Sequence, residues 1–117
     1  MADNIRPAGK TTIAQDVLTS IARLTALSVP GVSKLVFKNK EVNHLFRKPG
    51  TDGVDISVEG NTVYVDIYVI IKRDMNVRDV SRTIQSQVSR AISEMVGMEV
   101  GKVNIHVEDI DYSTGND

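Results

Sequence analysis

The feature that most constrains this chain is an unbroken two-residue alternation over positions 63–71, where Val63, Val65, Ile67, Val69 and Ile71 are separated by Tyr64, Asp66, Tyr68 and Ile70. Successive side chains of an extended chain point to opposite faces, so the run predicts a long strand with one wholly aliphatic face and one mixed face. A second run, Val54, Ile56 and Val58 alternating with Asp55, Ser57 and Glu59, stands just before it. Glu59-Gly60-Asn61 lies between the two and supplies the residue types of a tight turn. The pair reads as an antiparallel hairpin whose aliphatic face must be covered by something else.

Two segments have the period to cover it. Over 12–27, Ile13, Val17, Ile21, Leu24 and Ser28 recur at three- and four-residue intervals, which places them on the core face of a first helix. Thr12 and Gln15 have the spacing of a capping box, and Pro30-Gly31 ends the element. Over 76–97, Asn76 can cap a second helix, and Val77, Val80, Ile84, Val88, Ala91 and Met95 repeat at helical spacing. Gly97 suits the left-handed position that closes a helix. Val32 to Phe37 reads as a short strand, and Val103, Ile105 and Val107 alternate as a last one. Ile110 breaks the phase of that last strand, which signals a bulge or an end. The expected order is helix, strand, strand, strand, helix, strand. This is an α+β two-layer sandwich, a mixed sheet of about four strands with two helices on one face, the last strand parallel to the third. Positions 1–117 form one domain on this reading, with mobile ends at 1–10 and 112–117.

Composition narrows the function classes. The chain has 117 residues and no cysteine, so disulfides, zinc–thiolate centres and thiol nucleophiles are excluded and a reducing, cytoplasmic setting is expected. Its formal charge of −1 produces no overall field for nucleic acid or acidic lipid. Positions 1–10 carry no apolar core of the signal-peptide kind, and no run reaches the roughly 20 apolar residues that cross a bilayer.

The search for chemistry returns little. His106 shares its expected sheet face with Asn104 and Glu108, a conceivable proton relay with no nucleophile beside it, and the alternation favours a plain polar outer face. The order Asp109-Ile110-Asp111-Tyr112-Ser113 has the alternate oxygens of a calcium loop, but Thr114 stands where the sharp-turn glycine belongs. No metal or cofactor is expected, and no catalytic residue. Lys38, Lys40, Arg47 and Lys48 make the loop 38–48 basic, the best nucleic-acid signal in the chain and the alternative reading of its function. Two apolar surfaces point instead to protein partners. Leu18, Ala22 and Ala26 form a second line on the first helix, and Tyr64, Tyr68 and Ile70 cluster on the outer sheet face.

The second half of the chain, Val77, Val80, Ile84-Gln85, Val88, Ala91-Ile92, Gly97-Met98, Val100 and Val103-Asn104-Ile105-His106-Val107, resembles the bacterial alkaline shock protein family. Ile13, Val17, Ile21-Ala22, Ala26, Val29-Pro30-Gly31-Val32 and Gly53-Val54 extend the resemblance over about 12–110. The resemblance implies a non-catalytic cytoplasmic protein of the envelope stress response. Such a protein self-associates as a homo-oligomer and can be held at the membrane by an anchoring protein, and it transfers no catalytic residue.

Overall fold

The computed structural model describes residues 12–36 and 53–113. The elements along them are α1 (Gln15–Ser28), β1 (Val32–Leu35), β2 (Val54–Glu59), β3 (Thr62–Lys72), α2 (Val77–Val96) and β4 (Glu99–Asp111). The α+β order and the mixed sheet are as the alternation and the helical periods imply.

β3 is the axis of the sheet. β2 pairs antiparallel with its first half, Val54 opposite Ile67 and Glu59 opposite Thr62, and β1 pairs antiparallel with its second half, Leu35 opposite Val69. The two short strands therefore share one edge of β3 end to end. They meet at Tyr68, whose amide donates to the Gly53 carbonyl at 2.8 Å and whose carbonyl accepts from Val36 at 2.9 Å. β4 runs parallel along the whole other edge, from Glu99 opposite Thr62 to Asp111 opposite Lys72. The loop between β2 and β3 is two residues, Gly60 and Asn61, with Gly60 at φ 63° as a first turn position of type II′ requires.

The aliphatic face of β3 is the core: Val63, Val65, Ile67, Val69 and Ile71 are fully buried. α1 packs on β1, β2 and α2, while α2 packs on α1 and β4. The Asn76 side chain accepts from the Asp79 amide at 3.0 Å, and Gly97 closes α2 at φ 72°, so both ends of that helix are as read from the sequence. The phase break at Ile110 is a bulge at Glu108, after which Ile110 returns to the core side.

Three expectations need correcting. α1 begins at Gln15 with Ala14 at the cap and no side-chain capping bond; the Gln15 amide donates instead to the Ile56 carbonyl of β2. The core face of α1 is Leu18, Thr19, Ala22 and Ala26, whereas Val17 and Leu24 are 46% and 59% exposed. The helix is thus turned by one residue, about 100°, from the phase expected of it. Both stripes have helical spacing, and the one lined by two alanines lets the helix backbone approach the sheet and α2 most closely. In α2 the buried line is Val80, Ile84, Val88 and Ile92, and Met95, expected inside, is 68% exposed.

Candidate protein-interaction surfaces

The outer face of the sheet is a cross-strand network. The register sets Asp55 of β2, Asp66 of β3 and Asn104 of β4 on one rung and Tyr68 and His106 on the next. Asp66 Oδ1 accepts from His106 Nε2 at 2.8 Å and from Asn104 Nδ2 at 3.2 Å. A carboxylate can only accept, so Nε2 carries the imidazole proton in that contact. The Tyr68 and His106 rings stack with centroids 4.5 Å apart and planes 14° from parallel. Burial, followed by the charges of Asp55, Asp66 and Glu108, pushes the Tyr68 phenol above its ordinary pKa. The Tyr64 ring lies over Gly101, where an added Cβ would stand 2.5 Å from Cε1.

Of the surface residues singled out from the sequence, Tyr64 and Ile70 are half-buried, and Tyr68 is only 6% exposed, already occupied by its stack. Leu18, Ala22 and Ala26 are corrected: they belong to the domain's own core, and so are not available to an outside partner. Lys38, Lys40, Arg47 and Lys48 lie outside the described residues. The partner of His106 is Asp66, not Glu108, because the parallel register of β3 and β4 sets Asp66 opposite Asn104, on the same face and diagonally one rung from His106, within reach of its ring. Sequence alone offered one clue, that Asp66 is the acidic interruption of an otherwise apolar and aromatic run. Among the described residues no group of three His, Cys, Asp or Glu side chains could hold a metal ion, and the Asp66–His106 pair lies on an open face.

The helix layer carries a surface that sequence reasoning missed. Val17 and Leu24, turned out of the core by the phase of α1, and Ile21, half-buried between them and the core, meet Met95 at the end of α2. Together with Asp16, Ser20 and Thr25 they line an open groove of about 380 Å³. Its signal was present in the sequence, since the helix carries two apolar stripes and only one can face the sheet.

Comparison with known proteins agrees with the fold and with the family resemblance. The profile of the alkaline shock protein family ASP23, described by a cell envelope-related function, matches residues 4–112. An uncharacterized protein of Streptococcus pyogenes serotype M6, Spy1535, is 35% identical over 104 residues, covering 87% of this chain and 79% of its own. The uncharacterized YloU of Bacillus subtilis is 24% identical over 106 residues, 87% of this chain and 88% of its own. Among solved structures, MamM-CTD superposes with a TM-score of 0.53 at 12% identity, over 84% of this chain and 100% of that one, a likeness of fold alone. No described helix is long and apolar enough to cross a membrane.

Proposed function

Because this chain belongs to the alkaline shock protein family ASP23, whose function is related to the cell envelope, we propose that it is a non-catalytic envelope protein that self-associates and holds a protein partner from the cytoplasmic side. The observation that carries this reading is the groove in which Val17, Leu24 and Met95 stand exposed around the half-buried Ile21, apolar side chains gathered at the surface by a helix that had a core face to spare. Contiguous exposed apolar surface of this kind marks contact sites rather than catalytic ones. A helix bearing apolar residues at three- and four-residue spacing, carried by a membrane-anchored protein, fits the ridge that 17, 21 and 24 present. On the outer sheet face Asp66 and His106 bond to each other and Tyr68 stacks on His106, an arrangement that fits a structural role. That face also carries Asp55, Asp66 and Glu108, the wrong sign for a phosphate backbone.

The test is photo-cross-linking in cells of the source organism from a probe residue at position 24, with position 57 on the sheet face as the control. The expected result is a defined protein adduct from 24 that disappears when Met95→Glu is added. No adduct from 24, or one indifferent to Met95→Glu, would overturn the reading.

A further inference from the structure

β4 is an edge strand with unusual properties. Among the described residues its only sheet partner is β3. A strand paired on one side presents every second backbone amide and carbonyl to the other. Its inward side chains Val103, Ile105 and Val107 are only half-buried, whereas their rung neighbours Val65, Ile67 and Val69 on β3 are fully buried. α2 packs on β4 yet leaves these side chains half-buried, so among the described residues the aliphatic layer of the sheet thins toward this edge.

We propose that this edge of β4 pairs antiparallel with the same edge of a second copy of the chain, about a twofold axis at Ile105. The choice of register follows from charge and side-chain type. With Ile105 opposite Ile105 of the partner subunit, Val103 lies opposite the partner's Val107, extending the aliphatic face across the axis. On the outer face Asn104 meets the partner's His106, and Lys102 meets the partner's Glu108. Symmetry makes the Lys102 and Glu108 contact twice. Moving the register by two residues in either direction sets Lys102 opposite the partner's His106 or Ile110 and loses both charge pairs. Pairing of this kind is isologous and closes on itself.

The irregularities of the strand limit it to this segment. Bulges at Gly101 and Glu108 bracket the regular stretch 102–107, so backbone pairing with the second copy is confined to 103–107, and the Lys102 and Glu108 side chains meet at its two ends, where the ribbon stops being an open template. Gln85 of α2 donates to the Val103 carbonyl at 3.0 Å, a side-chain bond that the amide of a neighbouring strand can replace. The competing account of Lys102 is that a lysine on an edge strand repels other strands. The two accounts make opposite forecasts for reversing its charge.

The inference specifies the self-association named above and is independent of the helix groove. The experiment is a concentration series by light scattering and sedimentation on the full chain, comparing wild type, Lys102→Glu, Glu108→Lys and the double swap, with circular dichroism to confirm the fold. Wild type is expected to dimerise. Each single change sets like charges opposite one another twice and is expected to weaken the dimer about tenfold or more, and the double swap to restore it to within a few-fold. Lys102 and Glu108 of one chain are six positions apart on an extended strand, about 20 Å, so rescue can only arise between chains. A monomeric wild type, single variants that dimerise as well as or better than wild type, or a double variant no better than the singles would each overturn the pairing. In every such case an adduct from position 24 would still stand for the groove, and loss of that adduct with dimerisation intact would remove the groove alone.

Discussion

The phase of α1 can be tested by a pair of leucines. Leu18 is 1% exposed and Leu24 is 59% exposed, although the two sit six residues apart on one helix and either could serve a core stripe. Leu18→Ala removes the isopropyl end of a fully buried side chain on the core face of α1. The lost transfer energy and the cavity together cost about 2–5 kcal/mol. A domain of this size is stabilised by roughly 6–15 kcal/mol, so that single change removes a large share and lowers Tm by about 10–20 °C. Leu24→Ala removes a side chain that is mostly in water already. With less than half of its surface buried it should cost about 0.5–1 kcal/mol, partly offset by the better helix propensity of alanine. Urea unfolding followed by far-ultraviolet circular dichroism measures both, since the chain has no Trp to report by fluorescence. Equal losses, or a larger loss for Leu24→Ala, would refute the burial of Leu18 and with it the exposed groove.

Two further outcomes are expected. Gly31 sits at φ 101° with the position of a Cβ only 2.8 Å from both Met75 Cε and Val80 Cγ2, so Gly31→Ala combines backbone strain with a clash and should cost about 2 kcal/mol or more in thermal unfolding; a neutral effect would show that the turn after α1 can rearrange freely. The Asp111 carboxyl is held at about 2, first by the Ser33 hydroxyl at 2.5 Å and then by the amide and hydroxyl of Ser113. A carboxyl depressed in the folded state adds stability that is complete above its ordinary pKa and is lost as pH falls toward 2. Ser33→Ala should therefore move the Asp111 midpoint up toward the usual carboxylate range in a carbon-detected NMR titration, and an unchanged midpoint would show that Ser33 does not hold it.

The hairpin, the caps of α2 and the bulge in β4 were legible because each is decided by a few neighbouring residues. Alternation over 63–71 admits only one face for the core, and Asn76 and Gly97 do their work within a turn of the helix they bound. The phase of α1 was not legible, because Val17-Ile21-Leu24 and Leu18-Ala22-Ala26 are both spaced for a helix. The first stripe carries the larger side chains, but packing favoured the smaller one, which lets the helix lie closer. Met95 was misplaced for a related reason. α2 buries a strict four-residue line, Val80, Ile84, Val88 and Ile92, which Val96 continues against the core in the last turn, and Met95 falls one residue off that line.

The candidate surfaces divide in the same way. That Tyr64, Tyr68 and His106 would lie on an outer face follows from period alone. That Asp66 would bond His106, and that Tyr68 would stack on it, required the register between two strands separated by a helix, which no local pattern states.

What the sequence determined by itself was the set of elements and the sidedness of the sheet, since backbone geometry and the preference of aliphatic side chains for a dry face act residue by residue. Only the tertiary structure decided which apolar surplus stayed outside. α1 had two faces fit for burial and one sheet to bury them on, and β4 came to an edge with no further strand beyond it among the described residues. Both leftovers arise from how many neighbours each element has, a property of the assembled layers and of no single segment.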